Sequence, residues 1–188
     1  MKVTELELQG VKLIEPPVYQ DARGFFTESY QQSAWSDAGI VEAFIQDNHS
    51  LSIEMGVIRG LHFQVGESAQ SKLVRVLSGS IYDVVVDIRP ESPTFTKWSA
   101  VTLRAEDHQQ LLVPKGFAHG FCTLEPNTQV FYKVDQLYNR EKERGIYWAD
   151  PEIGIYWPID SPILSEKDRQ LPLLDSVKQE IGKKEGIV

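Results

Sequence analysis

The sequence predicts a mainly β fold, either a sandwich or a barrel. Short runs of β-branched and aromatic residues follow one another along the chain, and Gly, Pro, Asn and Asp separate them. The clearest pair of strands spans residues 72–77 and 81–88 around a turn centred on Gly79, which is typical of a β-hairpin. Helical patterns are few and short, so helices are expected only at the periphery.

The remaining elements are predicted from the same patterns. A helix is expected over residues 31–38, because Gly39 supplies a C-cap, and Ser165 begins an N-capped turn. The charged tail from Ser176 to the end is expected to fray, and residues 1–188 are expected to form one domain. Further strands are predicted at residues 24–30, 44–51, 57–63, 97–103, 110–113, 119–123 and 130–134.

Composition excludes several functional classes. A formal net charge of −8 argues against a general nucleic-acid binder, which needs clustered Lys and Arg. No apolar stretch has the length of a signal peptide or a membrane span. The single Cys122 lies in an apolar run and reads as a buried thiol, so a reducing, cytoplasmic setting is expected.

Strand alternation brings together three side chains with useful chemistry. If the strands containing His62, Lys72 and Tyr132 line one barrel, these side chains project into a common cavity that holds a base, a cation and a phenol. Strict alternation turns Arg59 away from His62, so either Gly60 marks a bulge or Arg59 serves elsewhere. Taken alone, a residue of any of these types is more often a buried side chain with its hydrogen bonds made, or a solvated surface charge, than a functional group.

Two segments resemble the conserved motifs of the cupin superfamily. Residues 113–121 contain a Pro-x-Gly turn followed by His119, and residues 59–64 lie where the first motif belongs. The resemblance implies a double-stranded β-helix, or jelly roll. Metal-binding cupins usually carry His-x-His in the first motif, but Gln64 replaces the second His here and is a poor ligand. A bound metal is therefore disfavoured, although Glu67 is a further candidate ligand.

A closer resemblance rests on many motifs in order. The chain from about residue 21 to residue 174 is similar to the dTDP-4-dehydrorhamnose 3,5-epimerases, which invert C3 and C5 of dTDP-4-keto-6-deoxyglucose in dTDP-L-rhamnose biosynthesis without a cofactor. The family is dimeric, so a homodimer is expected. The matching segments are residues 21–26, 46–50, 59–64, 87–89 with 92–95, 114–121, 132–133 with 138, and 164–168.

The resemblance assigns roles to four catalytic residues. His62 matches the base, and Asp168 matches the carboxylate that pairs with its imidazole. Lys72 matches the cation near the C4 oxygen, where negative charge develops as a proton leaves. Tyr132 matches the acid on the other face of the sugar.

The resemblance also implies a nucleotide-binding set. Arg23 and Arg59 match contacts to the diphosphate, and Tyr138 matches the residue stacked on thymine. Arg23 and Glu28 precede the main barrel and are candidates to reach the ligand of a neighbouring subunit, whereas His119 could instead orient its neighbours. The remaining binding positions are Glu28, Gln46, Asn48, Lys72, His119, Glu143 and Lys167.

Three rival functions stay open on the sequence. A mono-epimerase acting at C3 or C5 alone, or a ketoisomerase on a related nucleotide sugar, needs the same base beside a ketone. A metal-dependent cupin oxygenase or isomerase is disfavoured by Gln64. A cupin that only binds sugar or nucleotide is disfavoured by the combination of His62, Lys72, Tyr132 and Asp168.

Overall fold

Two antiparallel sheets packed face to face form the body of the protein. The structure is a computed structural model that describes residues 1–181. The strands are β1 (Lys2–Glu5), β2 (Lys12–Glu15), β3 (Val18–Asp21), β4 (Gly24–Thr27), β5 (Gln46–Ser52), β6 (Ile58–Gln64), β7 (Lys72–Ser78), β8 (Ser80–Asp87), β9 (Trp98–Arg104), β10 (Gln110–Val113), β11 (Phe117–Thr123), β12 (Thr128–Val134) and β13 (Glu143–Gly145). The helices are α1 (Gln32–Asp37), α2 (Glu166–Arg169) and α3 (Leu174–Ile181).

The strand order is that of a jelly roll. One sheet has six strands in the order β1-β2-β10-β7-β12-β5, and the other has five in the order β13-β6-β11-β8-β9. Strands β3 and β4 form a separate two-stranded hairpin. Consecutive strands β7 and β8 lie in different sheets, so residues 72–88 are not the two-stranded hairpin that the sequence predicted; the short turn at Gly79 passes the chain from one sheet to the other.

Alternation along the strands fills three apolar layers. Between the sheets, Val74 and Val76 of β7 pack against Ile81 and Val85 of β8. Outside the five-stranded sheet, α3 covers the opposite faces of β6, β8 and β11. Outside the six-stranded sheet, Trp35 of α1 is buried on β2, β7 and β10. The inner layer extends to Tyr132, which packs against it.

The helices confirm two predictions and correct a third. Helix α1 begins where the Gln31 side chain accepts a hydrogen bond from the Ala34 backbone at 2.6 Å, and Gly39 follows it with a φ of 79°. Ser165 caps α2 as expected. The expected fraying from residue 176 is wrong as far as residue 181, because Val177 and Ile181 are buried in α3; residues 182–188 lie outside the described range.

Candidate active site

A cavity lies between the two sheets, and it has two lobes that share His62, Lys72 and Tyr132. The first lobe, about 160 Å³ in volume, is also lined by Gln46, Asn48, Phe63, Gln64, Gln70, Tyr138 and Glu143. The second lobe, about 250 Å³ in volume, is also lined by Ser50, Arg59, His119, Phe121, Ser165, Lys167 and Asp168. The alternation of β6, β7 and β12 thus brings the base, the cation and the phenol into one space.

His62 is held by a buried carboxylate. Its Nε2–H donates to Asp168 Oδ1 at 2.6 Å, and the Asp168 side chain is only 5% exposed. Burial opposes ionisation of Asp168, but hydrogen bonds from His62 and Ser165 outweigh it and lower the carboxyl pKa. With Nε2–H directed at Asp168, the lone pair of Nδ1 is the one available to accept a proton.

Helix α2 fixes the position of that carboxylate. The Ser165 hydroxyl accepts from the Asp168 backbone N–H at 3.0 Å and donates to Asp168 Oδ2 at 2.7 Å. Ser165 therefore caps the helix and also binds the carboxylate oxygen that His62 does not contact. The sequence predicted the cap, but nothing in the pattern indicated the second contact.

Lys72 begins β7 and points toward the β6 backbone. Its ammonium donates to the His62 carbonyl at 3.2 Å. Burial lowers the pKa of Lys72 to about 8, while the negative charges of Asp83 and Glu143 oppose that shift. The ammonium is poorly solvated, so it is suited to meet a negative charge that forms inside the cavity.

Tyr132 faces His62 from the other sheet. It lies in β12, directly opposite Asn48 of β5 and Val74 of β7. Burial raises the pKa of its phenol, with a smaller opposing effect from Arg59 and a further rise from Glu143. The phenol therefore stays protonated at neutral pH and is able to donate a proton or a hydrogen bond.

A second His–Asp pair lies beside the first. His119 is the direct partner of His62 across the β6–β11 pair, and its Nε2–H donates to Asp83 Oδ1 at 2.8 Å. Asp83 is completely buried, and its Oδ2 has no hydrogen-bond partner among the described residues. Sequence reasoning missed Asp83, although a carboxylate amid the apolar residues of β8 is a signal that could have found it.

A bulge in β6 settles the orientation of Arg59. His119 pairs with His62 and Phe121 pairs with Arg59, so three steps along β6 match two steps along β11. The extra residue turns Arg59 to the same side as His62. There it lines the second lobe and donates from its Nε to Ser52 Oγ at 3.2 Å. Of the two alternatives left open by the sequence, the bulge is confirmed.

At the first lobe, Glu143 is contacted by both Tyr138 and Lys167. The Tyr138 hydroxyl donates to Glu143 Oε2 at 2.8 Å, and the Lys167 ammonium lies 2.6 Å from Glu143 Oε1. Burial opposes ionisation of Glu143, but the Lys167 and Tyr138 hydrogen bonds outweigh it and lower its pKa. Beside this group, the Gln46 amide nitrogen donates to the Asn48 side chain at 2.9 Å.

Two of the predicted binding residues lie outside the cavity of their own chain. The Arg23 side chain is 90% exposed at the tip of the β3–β4 hairpin and pairs with Asp21 at 2.5 Å. Glu28 is exposed just beyond the end of β4. Neither lines either lobe of the cavity.

The donor set of the cavity is poor in metal ligands. Over residues 1–181, no group of three or more His, Cys, Asp or Glu side chains is arranged to hold a metal ion. Gln64 binds backbone groups through its amide instead. Cys122 is buried as predicted, and burial raises the pKa of its thiol to about 11. Within the described range, no helix is long and apolar enough to cross a membrane.

Comparison with known proteins identifies close relatives across most of the chain. The crystal structure of dTDP-4-dehydrorhamnose 3,5-epimerase from Bacillus anthracis, with TDP and PPi bound, is 55% identical, has a TM-score of 0.90, and is covered over 99% of its length by 92% of this chain. An epimerase from Legionella pneumophila in complex with dTDP-4-keto-L-rhamnose is 42% identical, with a TM-score of 0.90 and 96% of each chain covered.

Sequence relatives agree with these structures. The dTDP-4-dehydrorhamnose 3,5-epimerase of Escherichia coli is 49% identical over 94% of this chain and 96% of its own. The family profile described as dTDP-4-dehydrorhamnose 3,5-epimerase matches residues 5–176. The protein therefore belongs to the dTDP-4-dehydrorhamnose 3,5-epimerase family.

Proposed function

We propose that the protein inverts C3 and C5 of dTDP-4-dehydro-6-deoxy-D-glucose to give dTDP-4-dehydro-L-rhamnose. One observation carries this proposal: His62, paired with the buried Asp168, faces Tyr132 across a cavity that also contains the ammonium of Lys72. A base on one wall and an acid on the other are what inversion at carbon requires, and the family membership of the chain supports the same reaction.

The first half-reaction is a proton abstraction. His62 Nδ1 accepts the proton from the carbon beside the C4 ketone, and the electron pair of that C–H bond moves toward the C4 oxygen to form an enolate. Asp168 stabilises the imidazolium that results. The ammonium of Lys72 meets the developing oxyanion, a type of contact worth roughly 10²- to 10³-fold in rate.

The second half-reaction is protonation from the opposite face. Tyr132 delivers its phenolic proton to the enolate carbon, so the configuration inverts. The raised pKa of Tyr132 keeps that proton available until the carbanion forms. The phenolate then regains a proton while His62 releases one to water, and the same cycle serves the other carbon. Because the chain supplies the base, the acid and the cation, the proposed reaction requires no cofactor.

The nucleotide is assigned to the remaining polar residues. Tyr138 is 54% exposed at the mouth of the first lobe, so its ring is accessible to a thymine base. Arg59 offers a guanidinium to the diphosphate. Lys72 and the other polar residues contribute further contacts to sugar and nucleotide: Gln46, Asn48, His119, Glu143 and Lys167.

We further propose a homodimer in which each subunit completes the site of the other. Arg23 is remote from the cavity of its own chain, and the hairpin that carries it exposes Tyr19, Phe25 and Phe26 by 56% or more. Exposed aromatic side chains on a projecting hairpin favour contact with another protein surface. Among the residues that the structure describes, β5 is the outer strand of its sheet, and its edge beside the cavity offers backbone groups to such a hairpin. A cytoplasmic location stays a prediction from the single buried thiol.

The configuration of the product tests the proposed reaction. Purified protein is incubated with dTDP-4-keto-6-deoxyglucose, and proton couplings at C3 and C5 are read by NMR. Inversion at both carbons is expected. Inversion at one carbon alone identifies a mono-epimerase, a displaced carbonyl identifies a ketoisomerase, and unchanged substrate refutes the proposal.

A further inference from the structure

Gln64 is a buried amide whose hydrogen bonds all go to backbone groups. Its Nε2 donates to the Ser68 carbonyl at 2.6 Å and to the Leu137 carbonyl at 3.2 Å, and its Oε1 accepts from the Asn139 N–H at 2.6 Å. Both amide protons and the carbonyl oxygen are engaged. The residue is only 6% exposed, so it offers little surface to a ligand.

The backbone groups that Gln64 holds lie on both sides of Tyr138. Leu137 and Asn139 are its two chain neighbours, and no helix or strand fixes the segment that contains them. The Tyr138 backbone N–H has only a long contact, at 3.4 Å, to Gln46 Oε1. The Gln70 side chain also donates to the Gln136 carbonyl at 2.7 Å, but among the described residues only Gln64 holds the backbone on both sides of Tyr138.

We infer that Gln64 is a positioning residue for nucleotide recognition, which acts by fixing the backbone on either side of Tyr138. A ring held in place loses less conformational freedom when a base stacks on it, so the restraint raises affinity for the nucleotide without contact to the nucleotide. This inference rests on the proposed function, because it assumes that Tyr138 stacks on the thymine base. Gln64 thus occupies the position of a cupin metal ligand with a different task.

The test is a double-mutant cycle on dTDP affinity, measured by isothermal titration calorimetry. Gln64→Met removes the amide at nearly constant length, and we expect it to weaken dTDP binding about 10-fold by loosening the loop. In a Tyr138→Ala background the same substitution should change affinity less than about 2-fold, because the ring that it positions is gone. In Gln64→Met the KM for the sugar nucleotide should rise as dTDP affinity falls, whereas kcat should change less.

Two further variants separate positioning from general stability. Gln64→Glu keeps the length of the side chain and the acceptor for Asn139 but replaces the donors to Ser68 and Leu137, so it should also weaken binding. Asp150→Asn is the matched control, because buried Asp150 likewise accepts three backbone hydrogen bonds, from Glu152, Ile153 and Leu174, outside the cavity. It should lower the melting temperature and leave dTDP affinity unchanged.

The outcomes distinguish this inference from the proposed function. Equal losses from Gln64→Met with and without Tyr138, or an equal loss in Asp150→Asn, would overturn the positioning role while dTDP binding by the wild-type protein still stands. Absence of dTDP binding by the wild-type protein would overturn the proposed function and this inference with it.

Discussion

Lys72 carries the positive charge that the proposed enolate requires, and that charge depends on pH. Burial lowers its pKa to about 8, which is below the usual value of a lysine, so the ammonium is lost as pH rises through that value. We predict that kcat/KM falls about tenfold per pH unit above this pH. A pH–rate profile measures this limb; constant kcat/KM up to pH 10 would contradict the role of Lys72.

The negative charge of Asp83 opposes the lowering of the Lys72 pKa. Removal of that charge should therefore move the alkaline fall of kcat/KM. In Asp83→Asn the negative charge that raises the Lys72 pKa is gone, and the fall in kcat/KM should begin at lower pH. Asp87→Asn is the matched control, because Asp87 is equally buried in β8 but pairs with Arg89. Asp87→Asn should be less stable, but its kcat/KM should begin to fall at the same pH as in the wild-type protein. An unmoved limb in Asp83→Asn would refute the coupling.

Tyr132→Phe separates proton removal from proton delivery. The variant keeps the ring and the packing in β12 but has no phenolic proton, so we expect inversion to slow by about 10²- to 10⁴-fold. Loss of substrate protons to deuterated solvent should persist, because His62 is intact. Product NMR and solvent exchange, measured on the same sample, check both; full inversion by the variant would exclude Tyr132 as the acid.

Alternation from the sequence was enough to bring His62, Lys72 and Tyr132 together, because Lys72 and Tyr132 lie in regularly paired stretches and His62 lies just past the bulge. It failed for Arg59, whose direction depends on one extra residue in β6. It also missed Asp83: a carboxylate within an apolar strand signals a buried polar site, but the sequence does not show which residue it pairs with. His119 pairs with Asp83 only after β8 and β11 come together.

The β6–β11 contact depends on two glycines that touch through their backbones. A Cβ on Gly60 would lie 2.5 Å from the Gly120 Cα and 2.9 Å from the His119 carbonyl, at a φ of 135°. We predict that Gly60→Ala lowers the free energy of unfolding by about 3 kcal/mol through overpacking and backbone strain. It should also weaken activity, since it displaces both histidines.

Chemical denaturation measures the effect of Gly60→Ala against a matched glycine. Gly154 also has a positive φ, of 65°, but its added Cβ would meet only the Pro151 carbonyl at 4.0 Å. Gly154→Ala should cost about 1 kcal/mol, from backbone strain alone. Equal losses in the two variants would show that the close approach of the strands contributes nothing.

The longer strands were predicted within one or two residues at most ends, whereas β1, β2, β3 and β13 were missed. Those four have three or four residues each, and pairing with a neighbour defines them; β10 is as short but was recognised from its apolar Leu-Leu-Val run. Helix α3 was missed for another reason. Leu174, Val177 and Ile181 have helical spacing, but the charged residues between them made the segment look like a solvated tail. Their burial against β6, β8 and β11 shows the apolar face of the helix.

At the scale of the whole molecule, the sequence predicted the sandwich but not its strand order. The neighbours β7, β10 and β12 are far apart in sequence, and no local pattern encodes that pairing. The net charge of −8 fits a protein that meets an anionic ligand with a few local cations. One of them, Arg23, has no ligand to meet within its own chain, which is the main reason to expect a second subunit at the site.

Shared sites predict complementation between two inactive variants. When Arg23→Ala and His62→Ala chains are co-expressed, half of the dimers are mixed, and each mixed dimer has one cavity with both native residues. We expect about a quarter of wild-type activity, well above either variant alone. His62→Ala with Lys72→Met is the control and should recover nothing, since both residues line the same cavity. No recovery in the first pair would contradict the shared site.

Solvent exchange at the two carbons beside the ketone tests the central claim most directly. Wild-type protein, His62→Ala and dTDP-4-keto-6-deoxyglucose are incubated in D₂O, and deuterium at C3 and C5 is followed by NMR. The wild-type protein should incorporate deuterium at both carbons, and His62→Ala at neither. Absence of exchange in the wild-type protein, or full exchange in the His62→Ala variant, would contradict proton abstraction by His62.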